Sequence, residues 1–216
     1  MRPLYRFLQA ICQIGLVGLC GARVFGVRNV PQHGPALLVC NHQSFLDPVL
    51  AAFGIPRECS FMARDTLFTN PRFRKLITTL NAFPVKRGQA DIGAIKETLR
   101  RLKRGELVVV FPEGTRTPDG RVHNLHAGVI LLARKARAPL VPTLILGAFE
   151  AWPRNARAPR PHPIIVAYGR AVQPDELADR DGEQCAELIR ERIVELMNRY
   201  RRHPLVAERL APLPKP

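Results

Sequence analysis

The run Pro35-Ala36-Leu37-Leu38-Val39-Cys40-Asn41-His42-Gln43-Ser44-Phe45-Leu46-Asp47-Pro48, PALLVCNHQSFLDP, changes character in its middle. The first half is apolar without interruption, so it reads as a strand buried on both faces, since a strand with one wet face would alternate. The second half is polar and closes on Asp47-Pro48, and proline suits the first turn of a helix. Buried strand, polar turn, helix start: this is the building unit of an α/β protein.

Outward from that run the same unit recurs. Before it, RVFGVRNVP reads as a short strand ending in a turn; after it, PVLAAFGI is a helix and CSFMAR a strand. Thr69-Asn70-Pro71 caps a helix over RFRKLITTLNA, and FPVKR is the next strand segment. Asp91 opens an amphipathic helix with Ile92, Ile95, Leu99 and Leu102 on one stripe, and Gly105 stops it. ELVVVF is a buried strand followed by the polar loop PEGTRTPDGRVHNLHAG; helix VILLARKARA and strand PLVPTLILGA come next. A Pro- and Arg-rich surface loop spans 152–163, PIIVAYG is the last strand, and helix 182–200 carries Leu188, Ile189, Ile193, Leu196, Met197 and Tyr200 on one face. The tail PLVAERLAPLPKP is expected to be a loose end. The alternation predicts an α/β sandwich in one domain, a mostly parallel twisted sheet flanked by helices. In such sheets ligands gather at the carboxyl ends of strands. NHQSFLD, PEGTRT and FPVKRG all fall there, so three polar clusters can share one rim.

Composition narrows the function classes. With 33 Lys+Arg against 18 Asp+Glu, the 216-residue chain carries a formal charge of +15, which suits polyanions: nucleic acid, anionic lipid or phosphate-bearing substrates. Aromatics are only 6% and no RNP or zinc-finger motif is present, which argues against nucleic acid. Five scattered cysteines without a CxxC point to reduced thiols in a cytosolic compartment. His123 and His126 sit in a Gly/Asn loop without carboxylate or Cys partners in sequence, so no metal site is expected. No GxxxxGK[ST] or GxGxxG occurs.

Between Arg6 and Arg23 the N-terminal segment has no charge. That gap is shorter than the ~20 apolar residues of a usual spanning helix. A signal peptide, a span with snorkelling arginines, an interfacial helix and a buried core helix all compete; an interfacial or partly inserted helix fits the length best. The chain is accordingly divided into a membrane-associating helix (1–24), a main domain (25–202) and a C-terminal tail (203–216).

From spacing alone the His42–Asp47 pair has two readings. Asp47 is a helix cap beside a surface histidine, or its carboxylate fixes one ring nitrogen and leaves the other free as a base. Histidine's ordinary pKa of about 6.5 suits removal of a hydroxyl proton near neutrality. Ser44 lacks a G-x-S-x-G elbow and is expected to bond backbone. In FPEGTR, Gly114 allows close backbone approach, Thr115 offers a hydroxyl and Arg116 a phosphate fork. Glu113 would repel phosphate, and is expected to bond a substrate hydroxyl or orient Arg116. Lys86 and Arg87 end a strand as phosphate ligands or as solvated charges.

Four ordered blocks then fall into place: Asn41-His42-x-Ser44-x-x-Asp47, Phe83-Pro84-Val85-x-Arg87-Gly88, Phe111-Pro112-Glu113-Gly114-Thr115-Arg116, and Val141-Pro142. Together they resemble the 1-acylglycerol-3-phosphate acyltransferase family, the glycerolipid acyltransferases with the HxxxxD motif. The resemblance implies a glycerol-3-phosphate acyltransferase-like fold. It implies His42 as general base for the sn-2 hydroxyl of a lysophospholipid, Asp47 as its orienting partner, and Arg87, Glu113, Gly114, Thr115 and Arg116 as substrate-binding residues. Acyl-CoA or acyl carrier protein would be the donor, with no acyl-enzyme, no cofactor and no metal. The expected product is phosphatidic acid; lyso-ornithine lipid or another lysophospholipid is the alternative acceptor. The implied location is the cytoplasmic face of a cell inner membrane, peripheral or monotopic. The chain departs from the family where an aromatic and a lysine often precede a glycine: it reads Leu125-His126-Ala127-Gly128. A non-catalytic basic protein of the membrane surface or of nucleic acid is the reading from another class.

Overall fold

The computed structural model describes residues 2–86 and 91–212. Seven strands form one sheet: β1 (Arg23–Phe25), β2 (Ala36–Cys40), β3 (Cys59–Arg64), β4 (Ala82–Val85), β5 (Leu107–Val110), β6 (Leu140–Leu146) and β7 (Ile165–Tyr168). Their order is β1-β7-β6-β2-β5-β3-β4. Every pairing is parallel except β6 with β7. The helices are α1 (Pro3–Cys20), α2 (Asp47–Ala51), α3 (Pro71–Thr79), α4 (Ile92–Lys103), α5 (Gly128–Ala136), α6 (Ala148–Ala151) and α7 (Gly182–Tyr200).

β2 is the middle strand, and its apolar run is explained by dryness on both sides. Leu37 and Val39 join one core cluster with Leu102 of α4, Ile130 of α5 and Ile189, Ile193 and Met197 of α7. Ala36, Leu38 and Cys40 join the other, with Leu16 and Cys20 of α1, Leu50 and Ala51 of α2, and Ala148 and Ala151 of α6. Alternate side chains of one strand thus serve two cores. Each fully buried Leu or Val contributes roughly 1.5–3 kcal/mol.

The caps follow the sequence. Asn70 accepts from the amides of Arg72 and Phe73, Asp91 from that of Ala94, and Asp181 with Gln184 forms a reciprocal box at α7. β1 ends sooner than RVFGVRNVP suggests: Gly26 turns at φ 71°, where an added Cβ would collide with the Tyr168 carbonyl. α1 is not a core helix, since only 11% of it is buried. The expectation of a loose C-terminal end fails for the described part of the tail. Val206 is fully buried, His162 Nε2 meets the Arg209 carbonyl at 2.9 Å, and the Ala211 amide donates to Glu150 Oε1 at 3.2 Å. Apolar residues spaced through a Pro-rich tail are enough to dock it without regular structure.

The topology positions the site. From β2 the chain leaves over α2 to β3; from its neighbour β5 it leaves over α5 to β6, in the opposite direction. The crevice of an open α/β sheet lies where adjacent strands part in this way. The loops carrying NHQSFLD and PEGTRT begin there.

Candidate active site

The loop after β2 is organised around one carboxylate oxygen. Asp47 Oδ2 lies 2.7 Å from His42 Nδ1 and accepts from the amides of Gln43 at 2.5 Å and Ser44 at 2.7 Å. Asp47 is fully buried and His42 is 7% exposed. Asp47 does not cap α2. Leu46 holds the cap position without a side-chain bond, and the carboxylate points back into its own loop. The cap reading of the pair therefore fails. Burial pushes the Asp47 carboxyl upward from its ordinary value, opposed by the His42 ring and the two amides. A carboxylate accepting from Nδ1–H keeps the ring proton on Nδ1 and leaves the Nε2 lone pair free.

The rest of the loop is tied down by its own polar groups. Asn41 makes a two-way bridge to Ile145 of β6, accepting its amide at 2.7 Å and donating to its carbonyl at 2.9 Å. Ser44 Oγ donates to the Trp152 carbonyl and accepts from the Leu46 amide, the backbone role expected of it. Gln43 donates to the Gly120 carbonyl at 3.0 Å and accepts from the Phe149 amide at 3.3 Å. It thereby staples this loop to the loop after β5 and to α6.

The loop after β5 folds across the first. The His42 amide donates to Glu113 Oε1 at 3.0 Å, and the Thr117 amide donates to the His42 carbonyl at 2.7 Å. Phe111 stacks on the His42 ring at 4.5 Å between centroids. Gly114 turns at φ 71°, and its missing Cβ leaves the His126 ring 3.3 Å from where that atom would stand. Arg116 lays its guanidinium 3.5 Å above the Phe45 ring, a cation–π contact that holds the charge at the mouth. Thr115 is exposed on the rim. Asp119 collects Thr117 Oγ1, the Arg121 amide and His123 Nε2, at 2.8, 3.0 and 2.9 Å. Among the described residues, Glu113 Oε2 is buried without a hydrogen-bond partner. Burial, offset in part by the His42 and His123 amides, pushes the Glu113 carboxyl up to about 8.

The predicted residues His42, Asp47, Glu113, Gly114 and Arg116 thus converge at the carboxyl ends of β2 and β5, with Thr115 at the edge. Arg87 lies outside the described residues. Gln43, Phe111 and Asp119 were missed by sequence reasoning. Gln43 is a long polar side chain inside a turn whose neighbours all had assigned tasks, and that was the one available signal. Among the described residues no cluster of His, Cys, Asp or Glu could hold a metal ion.

The model of the acyltransferase family matches residues 21–146, which include both loops. A 1-acyl-sn-glycerol-3-phosphate acyltransferase of Bacillus subtilis (strain 168) is 31% identical over 145 residues, 67% of this chain and 72% of that protein. One from Cocos nucifera is 32% identical over 157 residues, 71% of this chain, which spans about half (51%) of that relative's length. The crystal structure of the 1-acyl-sn-glycerophosphate acyltransferase PlsC from Thermotoga maritima superposes with a TM-score of 0.81 over 92% of this chain and 80% of that one. At 24% identity it shows a shared fold. With the family model covering more than half of the sequence and the HxxxxD pair in place, the chain belongs to the acyltransferase family that includes the 1-acyl-sn-glycerol-3-phosphate acyltransferases.

Proposed function

We propose that the protein moves a fatty acyl chain from a thioester, acyl-CoA or acyl carrier protein, to the sn-2 hydroxyl of 1-acylglycerol 3-phosphate, giving phosphatidic acid. The observation that carries this is the buried His42–Asp47 pair, 2.7 Å apart, beneath a loop with a guanidinium at its mouth. His42 Nε2 takes the hydroxyl proton as the oxygen attacks the thioester carbonyl. The carbon–sulfur bond breaks as the tetrahedral intermediate collapses, and the imidazolium returns its proton to the departing thiolate. Asp47 steadies the imidazolium through Nδ1. Arg116 and Arg87 hold the acceptor phosphate, and Gly114 and Thr115 shape the approach beside it. Glu113, carrying its proton near neutral pH, positions the His42 backbone through one oxygen and meets the acceptor through the other.

α1 supports a location at the membrane. Its 18 residues give about 27 Å of helix, slightly less than a hydrocarbon core. The Tyr5 hydroxyl accepts from the Cys59 amide and Gln9 donates to the carbonyls of Ala52 and Ile55, so one side is bound to the protein. Phe7, Ile11 and Ile14 are at least half exposed on the other. A helix tied along its length to a soluble body lies in one leaflet more readily than it spans two. We infer a monotopic enzyme of the cytoplasmic face of the inner membrane.

The test is product identification by mass spectrometry with acyl-CoA and acyl carrier protein as donors. Acceptor-dependent phosphatidic acid from lysophosphatidate supports the reading. Acylation of lyso-ornithine lipid or another lysophospholipid alone moves the enzyme to that acceptor, and no acyl transfer to any of them overturns it.

A further inference from the structure

α3 is nine residues long and buries none of them. Helices that short do not hold themselves in water; an apolar side packed against something else stabilises them. Phe73 and Leu76, one turn apart, are 43% and 45% exposed, and Leu67 in the turn before α3 is 43% exposed. Between them stand Arg72, Arg74 and Lys75, none in an ion pair among the described residues. The stretch from Arg64 to Leu80 holds four cations and a single acid, Asp65. Beside α3 a cavity of about 520 Å³ is lined by Arg2, Thr69, Arg74, Lys75, Thr78 and Thr79. Arg2, which precedes α1, donates to the Thr79 carbonyl at 2.9 Å and pairs with Glu58 at 3.0 Å, so the start of α1 is stitched to the end of α3.

We propose that α3 and the turn before it are a second membrane foot, built for an anionic phospholipid surface. The proposal extends the membrane reading of α1 and rests on it. Phe73, Leu76 and Leu67 enter the headgroup boundary while Arg72, Arg74 and Lys75 meet lipid phosphates. The cavity takes one phosphate headgroup between Arg74 and Lys75. Charge complementarity selects this occupant. A second copy would bring its own +15 against the same cations, which opposes self-association, and a polyanion in solution would leave the apolar trio in water. α3 begins beyond the carboxyl end of β3, next to β5, so the foot levels the rim of the site against the leaflet that holds the acceptor.

The test is flotation of the full chain with phosphatidylcholine vesicles, with and without phosphatidylglycerol. The variants are Arg72→Gln/Arg74→Gln/Lys75→Gln and Phe73→Ser/Leu76→Ser. At about 1 kcal/mol per cation near the surface, the triple variant should lose on the order of 100-fold in binding to anionic vesicles and keep its binding to neutral ones. The apolar pair should weaken binding to both. In a Phe73→Trp variant, brominated acyl chains should quench the introduced indole beyond the wild-type background. Retained anion preference in the triple variant, or an unquenched indole, overturns the foot. Release by inorganic phosphate at matched ionic strength assigns the cavity to a free phosphate and also overturns it, as does capture of α3 by DNA in preference to vesicles. All variants should turn over a detergent-dispersed short-chain acceptor at the wild-type rate. Loss there makes α3 part of the chemistry and sinks the docking role. A wild type with this vesicle behaviour but no acyl transfer would fell the proposed reaction and leave the foot standing.

Discussion

The loops after β2 and β5 meet in one site but are built differently. The first is gathered around one oxygen: Asp47 Oδ2 holds a ring nitrogen and two amides, and Asn41, Gln43 and Ser44 each have backbone partners, while Asp47 Oδ1 is buried without a hydrogen-bond partner among the described residues. The second keeps an unsatisfied buried carboxyl oxygen at Glu113 and lays Arg116 on an aromatic ring at the mouth. Pre-satisfied polar groups fix the geometry of a base before substrate arrives. Unsatisfied or exposed ones are what a substrate can complete. The difference fits the proposed division between a loop that carries the base and a loop that receives the acceptor.

The comparison breaks most visibly at Asp47. Asp47→Ala orphans two buried amides and frees the His42 ring. Chemical denaturation should show a loss of about 3 kcal/mol, and acyl transfer should fall about 1000-fold. A variant as stable and active as wild type would mean that the first loop is not organised by this carboxylate.

Glu113 tests the other loop. Its folded pKa of about 8 stands above its ordinary value of 4.5. Below about pH 4.5 both folded and unfolded chains hold the proton and its stabilisation is fully present. Between 4.5 and 8 only the folded chain holds it, so stability falls as pH rises, and above 8 the loss is complete. Glu113→Gln keeps an acceptor for the His42 amide and never ionises. Its melting curve should match wild type near pH 4.5 and show a gain of a few kcal/mol at pH 9. Equal stability at both pH values would contradict a buried, proton-holding Glu113.

The staple between the loops should yield the smallest effect. Gln43→Ala leaves the Gly120 carbonyl and Phe149 amide without their partner, with an expected cost of about 1–2 kcal/mol by denaturation. KM for the acceptor should rise more than kcat falls, since the second loop loses its register while the His42–Asp47 pair stays intact. A drop in kcat alone would place the staple's effect on the first loop.

The parts legible in sequence were those with short-range causes. PALLVC announced a doubly buried strand because both its faces are dry. Asn70 and Asp91 announced their helices because capping is decided within four residues. His42 and Asp47 were visible as a pair because one turn holds both. The contact of Glu113 with the His42 amide joins residues 71 apart in sequence, and Gln43 reaches Gly120 and Phe149, so neither could be read from spacing. The docked tail escaped for the same reason: Val206 is buried by elements far away in the chain, and its own neighbours carry no periodicity. α3 shows the converse, since its amphipathic pattern predicts a packed helix, yet among the described residues Phe73 and Leu76 stay nearly half exposed.

The central claim is that His42 acts as the base of a direct transfer. The measurement that tests it is thiol release from acyl-CoA, with lysophosphatidate as acceptor, by wild type and His42→Ala. The account predicts acceptor-dependent release that falls at least ~100-fold in the variant, with little change in melting temperature. Equal, robust release by both proteins would contradict it.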